Sequence, residues 1–270
     1  MIGAGLLMLA LAATSPAAAP ASKDFTWPRG AQAAVSLSYD DAIDSQLDHA
    51  VPSLDKYRLK ATFYLTLSSP VLTKRLPEWR ALAARGYELG NHTLFHQCQR
   101  SLPGREWVTP ERDLDHTTAT QMLEQVRVGN AMLKAIDGQT ERTFTLPCGD
   151  RLASGVDYLL LLRGEFVAIK AGDGGVVPDM QALDVYAVGV TAPSGVTGGQ
   201  LIALVQQAQA RGTMINFTFH GIGGDYLTVS TQAHDELLAY LAAHRKQVWT
   251  DSFINIMRHV KAQQAKAVAH

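Results

Sequence analysis

The stretch Ala33-Ala34-Val35-Ser36-Leu37-Ser38-Tyr39-Asp40-Asp41 reads as a buried strand that ends on two adjacent carboxylates. The run holds only apolar and small residues before Tyr39, too short for a helix and uncharged on both faces. Such a strand belongs in the middle of a mostly parallel sheet. Apolar runs like it recur at 61–65, 87–90, 143–146, 165–169, 185–190, 213–219 and 247–249, with helical patterns at 43–58, 77–85, 117–136, 198–210, 231–244 and 251–264. Alternation of this kind predicts βαβ units closing into a (β/α) barrel, with a doubly wound open sheet as the alternative.

Composition narrows the function classes. The chain has 270 residues, 24 Lys+Arg against 25 Asp+Glu, and 47% hydrophobic residues. One core-forming domain is expected over 33–264, with a lead-in at 20–32 and a short tail at 265–270. The balanced charge argues against a nucleic-acid partner. Residues 2–19 are apolar or small and end in Ala17-Ala18-Ala19, which reads as a secretory signal peptide over 1–19 although no basic segment precedes it. The run is too brief for a permanent membrane span. A secreted or periplasmic protein is therefore expected, with no protein partner indicated. The two cysteines, Cys98 and Cys148, pair as a disulfide in that setting or remain buried thiols.

Strand ends on one rim of a barrel carry the chemistry. Asp40 and Asp41 lie there, and neighbouring residues point different ways, so one carboxylate can ligate a metal while the other acts as a base. Helix capping by either aspartate is the plainer reading. His92 and His96 follow the turn signal Gly90-Asn91. Four apart, they would share one face of a helical turn and reach one ion. Two imidazoles and a carboxylate suit Zn2+, while Co2+, nickel or iron are compatible with the same ligands. His220 ends the apolar strand Asn216-Phe217-Thr218-Phe219 and opens Gly221-Ile222-Gly223-Gly224, a place for a general acid. Arg142-Thr143-Phe144-Thr145-Leu146-Pro147-Cys148-Gly149-Asp150 ends another strand in a turn whose backbone N–H groups could meet an oxyanion. Cys148 as a nucleophile is the competing idea, removed if it pairs with Cys98.

These words together resemble the polysaccharide deacetylase family, the NodB-homology carbohydrate esterases, over residues 30–262. The resemblance implies a distorted, seven-stranded (β/α) barrel and a divalent metal, usually zinc. It also implies hydrolysis of N-acetyl or O-acetyl groups on a carbohydrate. On Ser38-Tyr39-Asp40-Asp41 it makes Asp40 the base and Asp41 a metal ligand. On His92-Thr93-Leu94-Phe95-His96 it makes both histidines ligands, with Thr93 bracing the loop. It makes His220 the acid. The third motif departs: Thr145 stands where the family has an arginine that orients the base, and Cys148 stands where it has an aromatic residue, leaving only the Cys148 N–H for the oxyanion. Asp184, in Leu183-Asp184-Val185-Tyr186, is the residue available to support the acid histidine. An acetyl xylan-type esterase, a hydrolase of small amides and a non-catalytic, metal-retaining carbohydrate-binding protein are the other readings. Tyr39, Phe95, Trp107, Tyr226 and Trp249 are candidates for stacking on sugar rings, and the connection 97–116 is expected to wall the site.

Overall fold

The computed structural model describes residues 25–268. The expected signal peptide lies outside the described residues. Ten strands follow in order: β1 (Ala33–Asp40), β2 (Thr62–Leu65), β3 (Glu88–Asn91), β4 (Thr143–Thr145), β5 (Leu152–Ala153), β6 (Val156–Asp157), β7 (Ala168–Asp173), β8 (Val188–Val190), β9 (Met214–Phe219) and β10 (Val248–Asp251). The helices are α1 (Val51–Lys56), α2 (Pro70–Lys74), α3 (Leu76–Ala84), α4 (Ala119–Asp137), α5 (Tyr158–Leu162), α6 (Gly198–Arg211), α7 (Thr231–Ala243) and α8 (Phe253–Val268). No described helix is long and apolar enough to cross a membrane.

Strand β1 is paired on both sides in the wall of a nearly closed parallel barrel. It pairs with β9 along Ala34–Tyr39, with β2 over Ser38–Asp40 and with β10 over Ala33–Ser36. The sheet continues β2-β3-β4-β7-β8. A bridge between Thr191 and Phe217 joins β8 to β9, through Thr191 N–H to the Asn216 carbonyl and Thr218 N–H to the Thr191 carbonyl, both 2.9 Å. Seven strands thus form the ring, and β10 lies against the first half of β1. Strands β5 and β6 make a separate antiparallel hairpin.

The period of two along β1 divides its side chains. Val35, Leu37 and Tyr39 join the core packed against α3, α6 and α7, where Trp79, Leu201, Val205, Leu237 and Leu241 are buried. Ser36, Ser38 and Asp40 occupy the opposite face, and all eight residues of β1 are buried. The inner row is polar because it leads to the site.

Caps explain where the long helices stop. The Thr118 side chain accepts from Gln121 N–H and the Gln121 side chain accepts from Thr118 N–H, a capping box at the start of α4. Gly138 closes α4 with φ 76°, a left-handed value that glycine adopts without a Cβ clash. Three expectations change. The pattern at 43–58 is helical over 44–56, with a π-helical stretch at Gln46–Ala50, and it starts after Asp41 and Ala42, which hold φ of 84° and 58°. The strand expected at 165–169 starts later and runs to Asp173, after a turn in which Gly164 has φ 89°. The final helix reaches Val268, past the expected boundary at 264. The short helices α2 and α5, of five residues each, and the β5–β6 hairpin, with strands of two residues each, were not expected.

Tyr39 and Trp249 are core residues, not sugar-stacking surfaces. Tyr39 is fully buried between Phe63 and Phe219, and Trp249 packs with Trp27 and α8. The Tyr39 hydroxyl sits 2.6 Å from His234 Nε2. Burial pushes His234 down from its ordinary 6.5 to about 4. Between those values the unfolded chain takes up a proton that the folded chain refuses. Stability is therefore whole above pH 6.5 and falls as pH drops toward 4, by about 3 kcal/mol from this group. Urea midpoints from pH 7 to 4.5 should fall more steeply for the parent than for His234→Phe; equal slopes would remove His234 as the source.

Candidate active site

The first carboxylate pair is turned apart by the backbone. Asp40 ends β1 in extended geometry, and Asp41 and Ala42 then take left-handed φ, sparsely populated for residues with a Cβ and common at functional sites. The Asp41 N–H donates to the Tyr64 carbonyl at 3.0 Å, which pins the turn to β2. Asp40 stays in the inner row and Asp41 goes to the rim, both buried.

The two histidines sit on a bent loop after β3, not on a helical turn as expected. Thr93 and His96 have φ of 65° and 51°. The loop is held by short hydrogen bonds: Thr93 N–H to Asn91 Oδ1 at 2.8 Å and His96 N–H to Thr93 Oγ1 at 2.9 Å. Asn91 is itself anchored on α4 through the Val126 carbonyl and Asn130. Gly129 is needed there, because a Cβ on it would come within 2.9 Å of Asn91 Nδ2.

Asp41, His92 and His96 converge. Asp41 Oδ1 lies 3.2 Å from Nε2 of both imidazoles. His92 Nδ1 faces the Thr145 carbonyl at 3.0 Å. A carbonyl only accepts, so Nδ1 carries the proton and Nε2 of neutral His92 is a lone pair aimed at a carboxylate oxygen. Asp41 Oδ1 is buried and has no hydrogen-bond partner. Two acceptors facing each other in a buried place require a cation or an added proton between them. The charges around the pair act in the same direction. Burial alone would raise Asp41, but His92 and His96 hold it well below the usual carboxylate range. Burial alone would lower His92, but Asp41 and Asp40 raise it. The donor set fits a divalent metal with two imidazoles and one carboxylate. The other Asp41 oxygen accepts from the Tyr226 hydroxyl at 2.8 Å, so Tyr226 has a contact that a stacking role did not foresee.

His220 Nε2 stands 3.8 Å from Asp41 Oδ2, the oxygen that does not face the imidazole pair. Burial lowers its pKa against the opposing pull of Asp40 and Asp41. Gln46, unforeseen in the sequence, ties the backbones together by donating to the carbonyls of Asp40 and His220. Asp184 is not brought to His220. It pairs with Arg163 at 2.8 Å on the surface and accepts from Tyr186 N–H, so the support expected of it is absent from this arrangement. Asp40 has a partner that sequence reasoning missed. The Lys170 ammonium, fully buried on β7, donates to Asp40 Oδ1 at 3.0 Å and to Ser38 Oγ at 2.9 Å. A lone lysine inside the apolar run Phe166-Val167-Ala168-Ile169-Lys170-Ala171 was the available signal.

These groups floor a cavity of about 970 Å³ whose wall includes Phe95, Trp107, Tyr226 and Cys148. The three aromatics are 43%, 59% and 52% exposed, so their rings are open on the cavity wall. Arg105 and Arg112 lie over the Trp107 and Phe95 rings at 6.0 and 4.8 Å. The 97–116 connection does wall the site, and Cys98 in it is disulfide-bonded to Cys148. Cys148 is therefore no free thiol nucleophile, and the pair offers no thiolate to a metal beside His96. The bond closes a loop of 50 residues that contains the wall and lies two residues from His96. Chain entropy predicts that Cys98→Ser with Cys148→Ser costs about 4 kcal/mol. A denaturant midpoint unchanged by that double substitution would contradict the prediction.

The polysaccharide deacetylase family model matches residues 28–160. A gellan lyase from Bacillus sp is 23% identical over 263 residues, which cover 90% of this chain and 10% of the lyase; the chain thus spans about a tenth of that curated relative's length. Among solved structures, a peptidoglycan deacetylase from Bacillus subtilis superposes with TM-score 0.55 at 16% identity, covering 87% of this chain and 95% of its own. A carbohydrate esterase pseudoenzyme from Bacillus anthracis gives 0.54 at 17%, covering 90% and 70%. The esterase domain of a multidomain xylanase from the hindgut metagenome of Trinervitermes trinervoides gives 0.54 at 16%, covering 85% and 91%. At these identities the structural likenesses carry the fold.

Proposed function

We propose that the chain is a member of the polysaccharide deacetylase family, whose model matches residues 28–160, and a metal-dependent hydrolase removing acetyl groups from a carbohydrate. One observation carries the reading: an unpartnered, buried Asp41 Oδ1 sits 3.2 Å from two imidazole Nε2 atoms, beside a second carboxylate that has its own cation. Zinc suits the three ligands best, and cobalt or another transition metal would fit the same atoms. When bound by Asp41, His92 and His96, the ion supplies Lewis-acid polarisation of the acetyl carbonyl.

The remaining chemistry falls to the chain's own residues. Asp40, held at Oδ1 by Lys170, keeps Oδ2 for the proton of an attacking water. The Cys148 N–H, in the turn on the cavity wall, offers a donor to the developing oxyanion. His220 Nε2 gives its proton to the departing amine or alcohol. The lowered pKa makes it a readier donor once charged and reduces the fraction charged at neutral pH. Phe95, Trp107 and Tyr226 stack on the sugar and shed water from the cavity. The disulfide and the apolar N-terminal segment suit an exported protein, secreted or periplasmic.

This set serves an amide and an ester alike. Initial rates on N-acetylated oligosaccharides and on acetylated xylan, at matched acetyl concentration, decide between a deacetylase and the acetyl xylan-type alternative. Faster acetate release from the N-acetylated series is expected; faster release from xylan would move the assignment to an O-acetyl esterase.

A further inference from the structure

We propose that Lys170 is the positioning residue of the base, taking over from the neighbouring strand the cationic role vacant at Thr145. The proposal deepens the hydrolase reading and rests on Asp40 being its base. Strands β4 and β7 pair in parallel with Thr145 opposite Lys170. The vacant position and the lysine are thus register partners at one level of the barrel wall. The positive charge has moved one strand sideways, not disappeared.

Three contacts fix the ammonium. It donates to Asp40 Oδ1 at 3.0 Å and to Ser38 Oγ at 2.9 Å, and it lies 4.1 Å from the centre of the Tyr64 ring. Each partner is held in turn. Ser38 Oγ donates to the Phe217 carbonyl at 2.7 Å, which leaves its lone pairs for Lys170. The Tyr64 ring lies so close to β3 that a Cβ at Gly90 would come within 2.3 Å of it, and its hydroxyl meets Thr143 Oγ1 at 2.8 Å. Lys170 itself has no exposure. An ammonium so enclosed persists only with a matched anion, and Asp40 is the carboxylate it touches.

The chemistry differs from that of an arginine. A guanidinium grips a carboxylate through a fork and can occupy both oxygens, whereas an ammonium is a point donor. Lys170 takes Oδ1 only, and no donor among the described residues is placed on Oδ2. One oxygen is anchored and one is left toward the cavity that Asp40 and Lys170 both line. Thr145, relieved of the charge, gives its carbonyl to His92 Nδ1.

The test joins a stability cycle to kinetics. The thermal midpoint is measured for the parent, Lys170→Met, Asp40→Asn and the double variant. A direct pair predicts that Lys170→Met lowers the midpoint in the parent but much less in the Asp40→Asn background; equal losses in both backgrounds would overturn the pairing. This arm needs no substrate, so it stands apart from any failure of the hydrolase reading. For acetate release, Lys170→Met should lower kcat by roughly 10–100-fold, the usual effect of losing a group that orients a site, with KM and bound metal little changed. Lys170→Arg should keep more activity than Lys170→Met, and Lys170→Ala combined with Thr145→Arg should regain part of the loss. A Lys170→Met enzyme with parental kcat, or one whose loss lies wholly in metal content, would overturn the positioning role. If Lys170→Met does not fold while Lys170→Arg folds with parental kcat, the pairing stands; if neither cation restores folding, it falls.

Discussion

Asp40→Asn should retain its metal while losing acetate release by about 10²–10⁴-fold, the range that a general base contributes, and its thermal midpoint should fall because the buried Lys170 loses its matched anion. The amide oxygen still faces Lys170, but it brings no charge to match the ammonium. What it loses is the capacity to take a proton at the second oxygen. Asp41, one residue on, should behave differently under the same exchange. Its Oδ1 faces two imidazole nitrogens and has no other partner, so Asp41→Asn should cost metal as well as rate. Comparing metal content and kcat for the two variants separates the neighbouring carboxylates. Equal metal loss in both would mean that the base and ligand roles are not divided as proposed.

Replacing the histidines should give the second large effect. His92→Ala removes a buried imidazole, only 2% exposed, whose Nδ1 is already fixed by the Thr145 carbonyl. His96→Ala removes one that is 24% exposed and held by a more open loop. Both should weaken metal binding by more than the roughly 10–100-fold that follows from losing a merely supporting group. His92→Ala should be the more severe, because a preoriented ligand loses less entropy on binding. The parent should gain about 2.7 kcal/mol of stability at metal concentrations 100 times Kd, and the His92→Ala, His96→Ala double variant should gain almost none. Metal titrations followed by thermal midpoint measure this without a substrate. A double variant that is still stabilised as the parent is would remove these residues from the metal site.

Much of the fold was legible because buried parallel strands are written as short apolar runs with turn residues at each end. The run 33–38 and the one at 213–219 were found nearly at their full lengths, and the long helices were marked by Thr118, Gly138 and their apolar period. What escaped was short or depended on left-handed backbone. Helices α2 and α5 are too brief to show a period. The turn that sends Asp41 away from Asp40 follows from φ values at Asp41 and Ala42 that no local composition announces. The same limit applied at the site. His92 and His96 were identified by spacing, but the reason they converge is a bent loop with two left-handed residues, not a helical face.

The partners of the site residues were the least legible part. Asp184 was the nearest acid in sequence to the expected place, and its actual partner is Arg163 at the surface. Lys170 bears on Asp40 across 130 positions of sequence, and only the pairing of β4 with β7 puts it there. Tyr226 was noticed as an aromatic, while its hydroxyl contact with Asp41 depends on the turn after Gly221, where a Cβ would come within 2.0 Å of the Gly224 carbonyl oxygen. Chemistry-bearing residues at strand ends can be read from a sequence; the cations and hydroxyls that hold them come from neighbouring strands and loops and need the register.

Metal-dependent acetyl hydrolysis at the Asp41, His92 and His96 cluster is tested by acetate release from a panel of N- and O-acetylated oligosaccharides, by protein stripped of metal and by the same protein reloaded with zinc. Release by the reloaded protein on at least one member of the panel, with none by the stripped protein, is the predicted result. Release that is indifferent to stripping, or no release by the zinc-loaded protein from any member, would remove metal-dependent acetyl hydrolysis from this cluster.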